Sequence, residues 1–477
     1  MTRKPLLAIL AAFATLALGA CAVGPDYRAP ATLPGAAGPL VSVRPAAEAT
    51  AAPPDDWWRL YNDPRLDGYV SEAFAANRDL AAAEANLSAA RALLEAARAG
   101  QYPNTTAVAG ALYGRDAATD EILELGGHKP VTIWKLDTLM DVSYEVDLFG
   151  RVRRSIEAAR DDAEAVAAAR DGLRTTVAAE TTRAYAQVCT LGEQLAVARH
   201  ALEVVSRESE ITTNRRKAGA GSEFEEVRAQ ALLAQVRASI PPLEGARRSA
   251  LFQLAALLGR TPVNAPAEAE ACVAPPRLLS LIPVGDGAGL LKRRPDVRQA
   301  DRRVAAATAR IGVATADLYP RVSLTGLYGG VGSHLSDLTA EKGLTWGVGP
   351  SVSWTFPNQS LPRARIRAAK AGEQAALAGF DSTVLQALKE TEQALTAYGA
   401  ELDRREALGL ADEKTRRAYE LAHGQYLAGA TTQLDLLTAE QALVNADQAV
   451  AASDAAITQD QIAVFKALGG GWATAAR

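Results

Sequence analysis

Two periods of hydrophobicity run along this chain. In residues 292–330, Val297, Val304 and Ile311 recur every seven positions, and Ala300, Ala307 and Ala314 do so on the neighbouring stripe. One large and one small residue per heptad make a helical seam that a partner helix can approach closely. Pro295 suits the first turn, where its missing N–H costs nothing, and Asp296 favours the positive helix start. The pattern stops at Pro320, and VSLTGLYGGVG beyond it has strand composition. Residues 77–114 repeat the unit, with Leu80, Leu87 and Leu94 beside Ala83, Ala90 and Ala97.

The repeat keeps register over most of the chain. Tyr102-Pro103 matches Tyr319-Pro320 at an offset of 217. Val142-Ser143-Tyr144 matches Val352-Ser353-Trp354, Ala218-Gly219-Ala220 matches Ala428-Gly429-Ala430, and Leu258-Gly259 matches Leu468-Gly469, all at 210. A period this long means two copies of one large unit rather than a solenoid of short repeats. The first copy spans 56–270, the second 291–477, with a Pro- and Gly-rich linker at 271–290.

Each copy predicts two strands, at 104–114 and 136–148, then at 321–331 and 345–356. In the second strand Leu136, Met140, Val142, Tyr144, Val146 and Leu148 alternate with Asp137, Asp141, Ser143, Glu145 and Asp147. In the fourth, Trp346, Val348, Val352, Trp354 and Phe356 alternate with Gly, Ser and Thr. One apolar and one polar face over about ten residues suits a membrane barrel. Two strand pairs cannot close a barrel and lipid does not tolerate open edges, so several chains would have to share one. The soluble alternative is a sheet packed on a core.

Long helices follow each strand pair, at 151–217 and 222–258, then at 363–427 and 432–468. Residues 151–217 contain no Pro, enough for a rod of about 100 Å. Pro241-Pro242 predicts a bend or break in the first return helix. The hairpin turns carry Gly219, Gly221 and Gly429. Glycine tolerates left-handed backbone, so the turn itself accounts for them, and contact with a partner is a second role.

The amino terminus changes the picture of location. Arg3 and Lys4 precede an apolar run, Leu6 to Leu18, and then Leu-Gly-Ala-Cys ending at Cys21. The run is short for a spanning helix, so residues 1–20 read as a signal peptide. The small residues before Cys21 make a lipobox, so Cys21 is the expected acylated terminus. Residue 22 is Ala, not the Asp that commonly retains lipoproteins in the inner membrane, so the outer membrane is expected. Residues 21–55 read as a lipidated, extended tether.

Charge and chemistry mostly exclude. Net charge is −4 and no basic face stands out, which argues against nucleic acid. The other cysteines, Cys189 and Cys272, lack metal-ligand spacing and read as two isolated small side chains, with a disulfide the lesser alternative. His128, His200, His334 and His423 are scattered. No GxSxG, P-loop or HExxH occurs, so neither an enzyme nor a cofactor beyond the lipid is expected. Asp137, Asp141, Glu145 and Asp147 are barrel-lining candidates that would favour cations, although any water-facing interior must be polar.

Together these features resemble the TolC-like outer membrane factors, in the lipoprotein (NodT-type) branch. The residues that carry the resemblance are CAVGPDY from Cys21, Trp58 to Leu66, LLKRRPD at 290–296, ADLYPRVSL at 316–324, YLAGATTQLDLL at 426–437, and KALGGGW from Lys466. It covers essentially the whole mature chain. It implies a mostly α fold with a membrane β-barrel portion. Three protomers would give four strands each to a twelve-stranded barrel, above a helical tunnel in the periplasm. It further implies a periplasmic adaptor, an inner-membrane pump of the RND class and passive export of small solutes. The same fold serves as a protein-secretion duct, and a non-channel helical scaffold is a third reading.

The resemblance also implies a gate at the hairpin tips, an apolar ring followed one turn later by a carboxylate. The aligned residues are Leu434 and Thr438, so the carboxylate is missing, with Asp435 and Glu440 close in sequence. Phe224 and Arg228 are the equivalents in the first copy. Leu434 and Phe224 are either the constriction or ordinary seam residues.

Overall fold

In the computed structural model the described residues are 22–43, 51–115, 117–278 and 281–471; Cys21 and Trp472 lie outside them. The chain falls into two units. One comprises residues up to 30, 87–166 and 300–380; the other comprises 31–86, 167–299 and 381–477.

The helices and strands appear in duplicate. The first copy runs α1 (Pro64–Ala76), α2 (Arg78–Ala99), β1 (Asn104–Gly114), α3 (Ala117–Leu125), β2 (Ile133–Val146), α4 (Arg151–Lys217) and α5 (Glu223–Leu257). After the short α6 (Ala267–Glu270) and α7 (Gly287–Arg293) come α8 (Pro295–Ala316), β3 (Arg321–Gly332), β4 (Leu344–Ser353), α9 (Ser360–Leu427) and α10 (Gln433–Ala467). The helix α3, in the loop between β1 and β2, has no counterpart in the sequence reading. Nor do α6 and α7, which give the linker region more order than its lack of periodicity suggests.

Local chemistry sets the element ends. Asp63 caps α1 by accepting from the Arg65 N–H at 2.9 Å, with Pro64 in the first turn. Asn77 caps α2 by accepting from Asp79 N at 3.0 Å and Leu80 N at 3.1 Å. Of the expected bend or break at Pro241 and Pro242, the break does not occur: α5 runs through both. The carbonyls they leave without an N–H belong to Arg237 and Ala238, which are exposed and need no protein partner.

In the first unit the four strands form one antiparallel sheet in the order β1-β2-β3-β4. The register sorts the side chains into two faces. Met140 lies opposite Tyr328, and Tyr328 opposite Trp346; Tyr144 lies opposite Leu324, and Leu324 opposite Pro350. The other face carries Asp137 opposite Gly110, Ser143 opposite Thr325, and Thr325 opposite Gly349. Tyr113, Trp134, Tyr328, Trp346, Val348 and Val352 on the first face are all exposed.

In the second unit a core gathers around the sequence WWRLY. Trp57 stacks on Phe465 at 4.8 Å, among buried Leu66, Val70, Leu254, Leu290, Ile462 and Leu468. Arg294 of the RRPD run is buried and donates to Asp296 at 2.7 Å, Glu390 at 2.8 Å and the Ala467 carbonyl at 2.9 Å. One guanidinium thus ties the start of α8 to α9 and to the end of α10.

Cys189 and Cys272 are not isolated. They form a disulfide, with Cα atoms 4.8 Å apart and a sequence separation of 83. Gly192, three residues after Cys189, makes the approach feasible, because a Cβ there would lie 2.3 Å from the Cys272 carbonyl oxygen. Arg247 holds the strap by donating to the carbonyls of Val188 at 3.2 Å and Cys272 at 2.8 Å, and to that of Glu270. The sequence held Gly192 and Arg247 but not their meeting.

Candidate functional site

Three places in the chain could serve transport: the sheet, the segment after Cys21, and the hairpin tips. The sheet has the build of a membrane wall. Its strands run 10 to 14 residues. At about 3.3 Å per residue and a tilt near 45°, eleven residues rise about 26 Å, the height of a barrel's apolar band. Aromatic pairs mark both ends: Tyr113–Trp134 at 5.2 Å, and Phe149–Tyr319 at 4.6 Å with Trp354–Phe356 at 5.0 Å at the other. Amphipathic rings at two levels suit two membrane–water interfaces. The outer edges of β1 and β4 have no strand beside them among the described residues. In lipid such edges must pair with another chain.

The four candidate lining acids divide into two kinds. Asp137 and Asp141 stand on the polar face of β2. Glu145 and Asp147 are committed to the junction with α4. Glu145 holds the Arg151 guanidinium in a two-pronged ion pair, one prong at 2.8 Å. Asp147 accepts from the N–H groups of Val152 at 3.0 Å and Arg153 at 2.9 Å, capping the helix start. The period-two pattern could not separate these roles, because it records the face and not the partner.

The segment after Cys21 is docked on the first unit. Val23 N donates to the Phe149 carbonyl at 3.1 Å, and the buried Arg154 donates to Asp26 at 2.6 Å. The Tyr27 hydroxyl is bonded to Asp301, and the Arg302 guanidinium lies over its ring. A Cβ on Gly24 would fall 2.5 Å from Gly312 Cα, and one on Gly150 2.5 Å from Ala22 Cβ. Ala22 therefore sits where β2 gives way to α4, beside the Phe149–Tyr319 pair. The candidate lipid site Cys21 itself lies outside the described residues.

At the tips the two turns are built alike. Gly219 and Gly429 have φ of 74° and 71° with nothing near a Cβ, so backbone conformation alone explains the glycine. Ala220 N bonds the Arg215 carbonyl and Gly219 N that of Arg216; Ala430 N and Gly429 N do the same to Gln425 and Tyr426. This is the Schellman arrangement. Gly221 has no positive φ, and a Cβ there would meet Arg216 N at 3.3 Å. The return helices start on capping boxes, Ser222 with Glu225 and Thr432 with Asp435.

The gate candidates occupy the first turns of those return helices. Phe224 is 67% exposed and Leu434 46%. Arg228 lies 5.7 Å from the Phe224 ring centre. Thr438 turns its hydroxyl to the Leu434 carbonyl at 2.7 Å. Asp435 accepts from the Thr431 hydroxyl at 2.9 Å and from Thr432 N at 3.2 Å, so it serves as a cap. These bonds hold its carboxyl below the ordinary value. No carboxylate of α10 among the described residues takes the place one turn after Leu434.

Known proteins with this architecture transport. A family model described as outer membrane efflux protein matches residues 69–260 and 289–470, which are the two copies of the repeat. The outer membrane protein OprJ of Pseudomonas aeruginosa is 31% identical over 98% of this chain and 97% of its own length. The pyoverdine export outer membrane protein OpmQ of Pseudomonas putida is 29% identical over 90% of each chain. The solved structure of the outer-membrane channel OprN superposes with a TM-score of 0.88 at 36% identity, covering 95% of this chain and 100% of that one.

Proposed function

This chain belongs to the outer membrane efflux protein family, and from that premise we propose a passive exit duct for small solutes. Three copies share one twelve-stranded barrel in the outer membrane. A periplasmic adaptor and an inner-membrane pump, of the RND class, deliver the cargo. The observation that carries this reading is the four-stranded sheet, with a continuous apolar face, aromatic rings at both ends and two unpaired edges. Such a sheet is stable in lipid only when its edges are closed by copies of itself. No covalent step is assigned to the chain, because a duct needs only a wall and a gate.

Acylated Cys21 anchors the protomer. The docking of Ala22 to Tyr27 supports this, since it brings the chain out at the strand–helix junction, the level where acyl chains can enter lipid. Phe224 and Leu434 form the constriction at the tips, and Gly219, Gly221 and Gly429 present the turns to the adaptor. Planar-bilayer conductance tests the reading. The full-length protein should give pores with a low closed-state current, and Leu434→Ala should raise that current. A protein that never conducts, whatever the tip substitution, would contradict the duct.

A further inference from the structure

Between the two hairpins, the tip region hides a pair of carboxylic acids where a seam expects apolar side chains. On α10 the seam reads Leu437, Glu440, Val444, and Glu440 is only 2% exposed. Neither carboxylate oxygen of Glu440 has a hydrogen-bond partner. On α4 the facing seam reads Ala201, Val205, Glu208, Thr212, and Glu208 leaves a buried oxygen without a partner too. Next to them Ala201, Val205, Leu232, Val236, Leu437 and Val444 pack as one apolar cluster. Beside the pair, Gln433 donates across the hairpins to the Thr212 hydroxyl. The duplicated frame does not require acids here, since the aligned positions are Gln230 and Ala418.

The surroundings offer these acids little relief. From α9, Tyr419 and His423 face them, stacked on each other at 6.0 Å. From α4, Arg215 is near Glu208 but is bonded to the Tyr426 hydroxyl. From α5 the packed residues are Ala229, Leu232 and Val236, and its carboxylate Glu226 is paired with Arg216. Further along α10, Asp447 takes the Arg416 guanidinium. An isolated buried carboxylate is costly, and two that share a site cannot both ionise cheaply.

We propose that Glu208 and Glu440 form a proton-operated latch between the two hairpins of each protomer: protonated, they pack within the seam, and ionised, they drive the tip of the second hairpin away from the first. The latch rests on the duct reading for its purpose, which is to set how readily the tips part. Burial, and then the Glu208 charge, push the Glu440 carboxyl up to about 7 from an ordinary 4.5. An acid whose folded value is raised stabilises packing below its ordinary value. That stabilisation is lost as the pH climbs toward the raised one. The window is therefore between 4.5 and about 7.

The test is hydrogen exchange of the full-length protein in detergent, read over 433–445 and 205–215 and corrected for the intrinsic pH dependence of exchange. Between pH 5 and pH 8 opening of these segments should rise by tenfold or more, within a ceiling of about 300-fold set by a shift of that size. Glu440→Gln should flatten the profile, and so should Glu208→Ala, which copies the residue at Ala418. Glu440→Leu should protect the segment at every pH. A wild-type profile without pH dependence, or the same profile in Glu440→Gln, would overturn the latch. Conductance on the same samples separates the two readings: a protein that shows the exchange profile but forms no pore keeps the latch and loses the duct.

Discussion

The first and second hairpins share a backbone and differ in chemistry. Their long helices are 67 and 68 residues, their return helices 35 each. The left-handed glycines Gly219 and Gly429, the capping boxes and the end signals coincide. The side chains that meet partners distant in sequence, or that were candidates for the gate, do not. Cys189 is matched by Gly399, Phe465 by Ala255, Glu440 by Gln230, Leu434 by Phe224 and Thr438 by Arg228. Duplication preserved what the helix ends and turns require physically, and the copies diverged where each meets its own neighbours. A residue that departs from its copy thus marks where that copy meets its own neighbours.

Substitutions that respect or violate this division sharpen it. The largest effect is expected at Phe465, stacked on Trp57: Phe465→Ala should cost about 4 kcal/mol by loss of burial and a cavity, visible as a lower thermal midpoint. Ala255, its partner in the first copy, has no such ring to lose. Reduction of the Cys189–Cys272 bridge, or Cys189→Ser with Cys272→Ser, should cost about 3 kcal/mol, since the bridge closes a long loop. Thermal midpoints that do not respond to reductant would contradict this. At the turns, where the copies agree, Gly219→Ala and Gly429→Ala should each cost about 1 kcal/mol and match one another. Unequal losses would show that one turn has a role beyond conformation. The smallest effect concerns Asp435, whose cap is intact above its ordinary 3.8 and is lost as the pH falls below it. Asp435→Asn should remove that acid dependence from local exchange at 431–436 and leave the midpoint at neutral pH little changed.

Much of the frame was legible because it depends on local period and end signals. The strands expected at 104–114 and 321–331 stand at Asn104–Gly114 and Arg321–Gly332, and the helix expected at 151–217 at Arg151–Lys217. Period two identified an apolar face that the register then carried across all four strands. What could not be read depends on partners distant in sequence. Gly192 and Arg247 bring Cys272 to Cys189 through tertiary contacts with no local signature. Glu145 and Asp147 look like Asp137 and Asp141 in the pattern, but cap and brace a helix instead. Pro241-Pro242 reads as a break because propensity ignores that the orphaned carbonyls are exposed. Glu440 has polar neighbours at heptad spacing, Gln433 and Asp447, so its burial left no signal in the period.

The central claim is that one chain supplies a third of a barrel. The direct test is native mass spectrometry of the detergent-solubilised, full-length protein, with the amino-terminal peptide analysed from the same sample. The account predicts a mass of three chains and an acylated Cys21 peptide. A monomer that stays in solution without detergent would contradict it, because a four-stranded sheet with an exposed apolar face and two open edges could then not be a membrane wall.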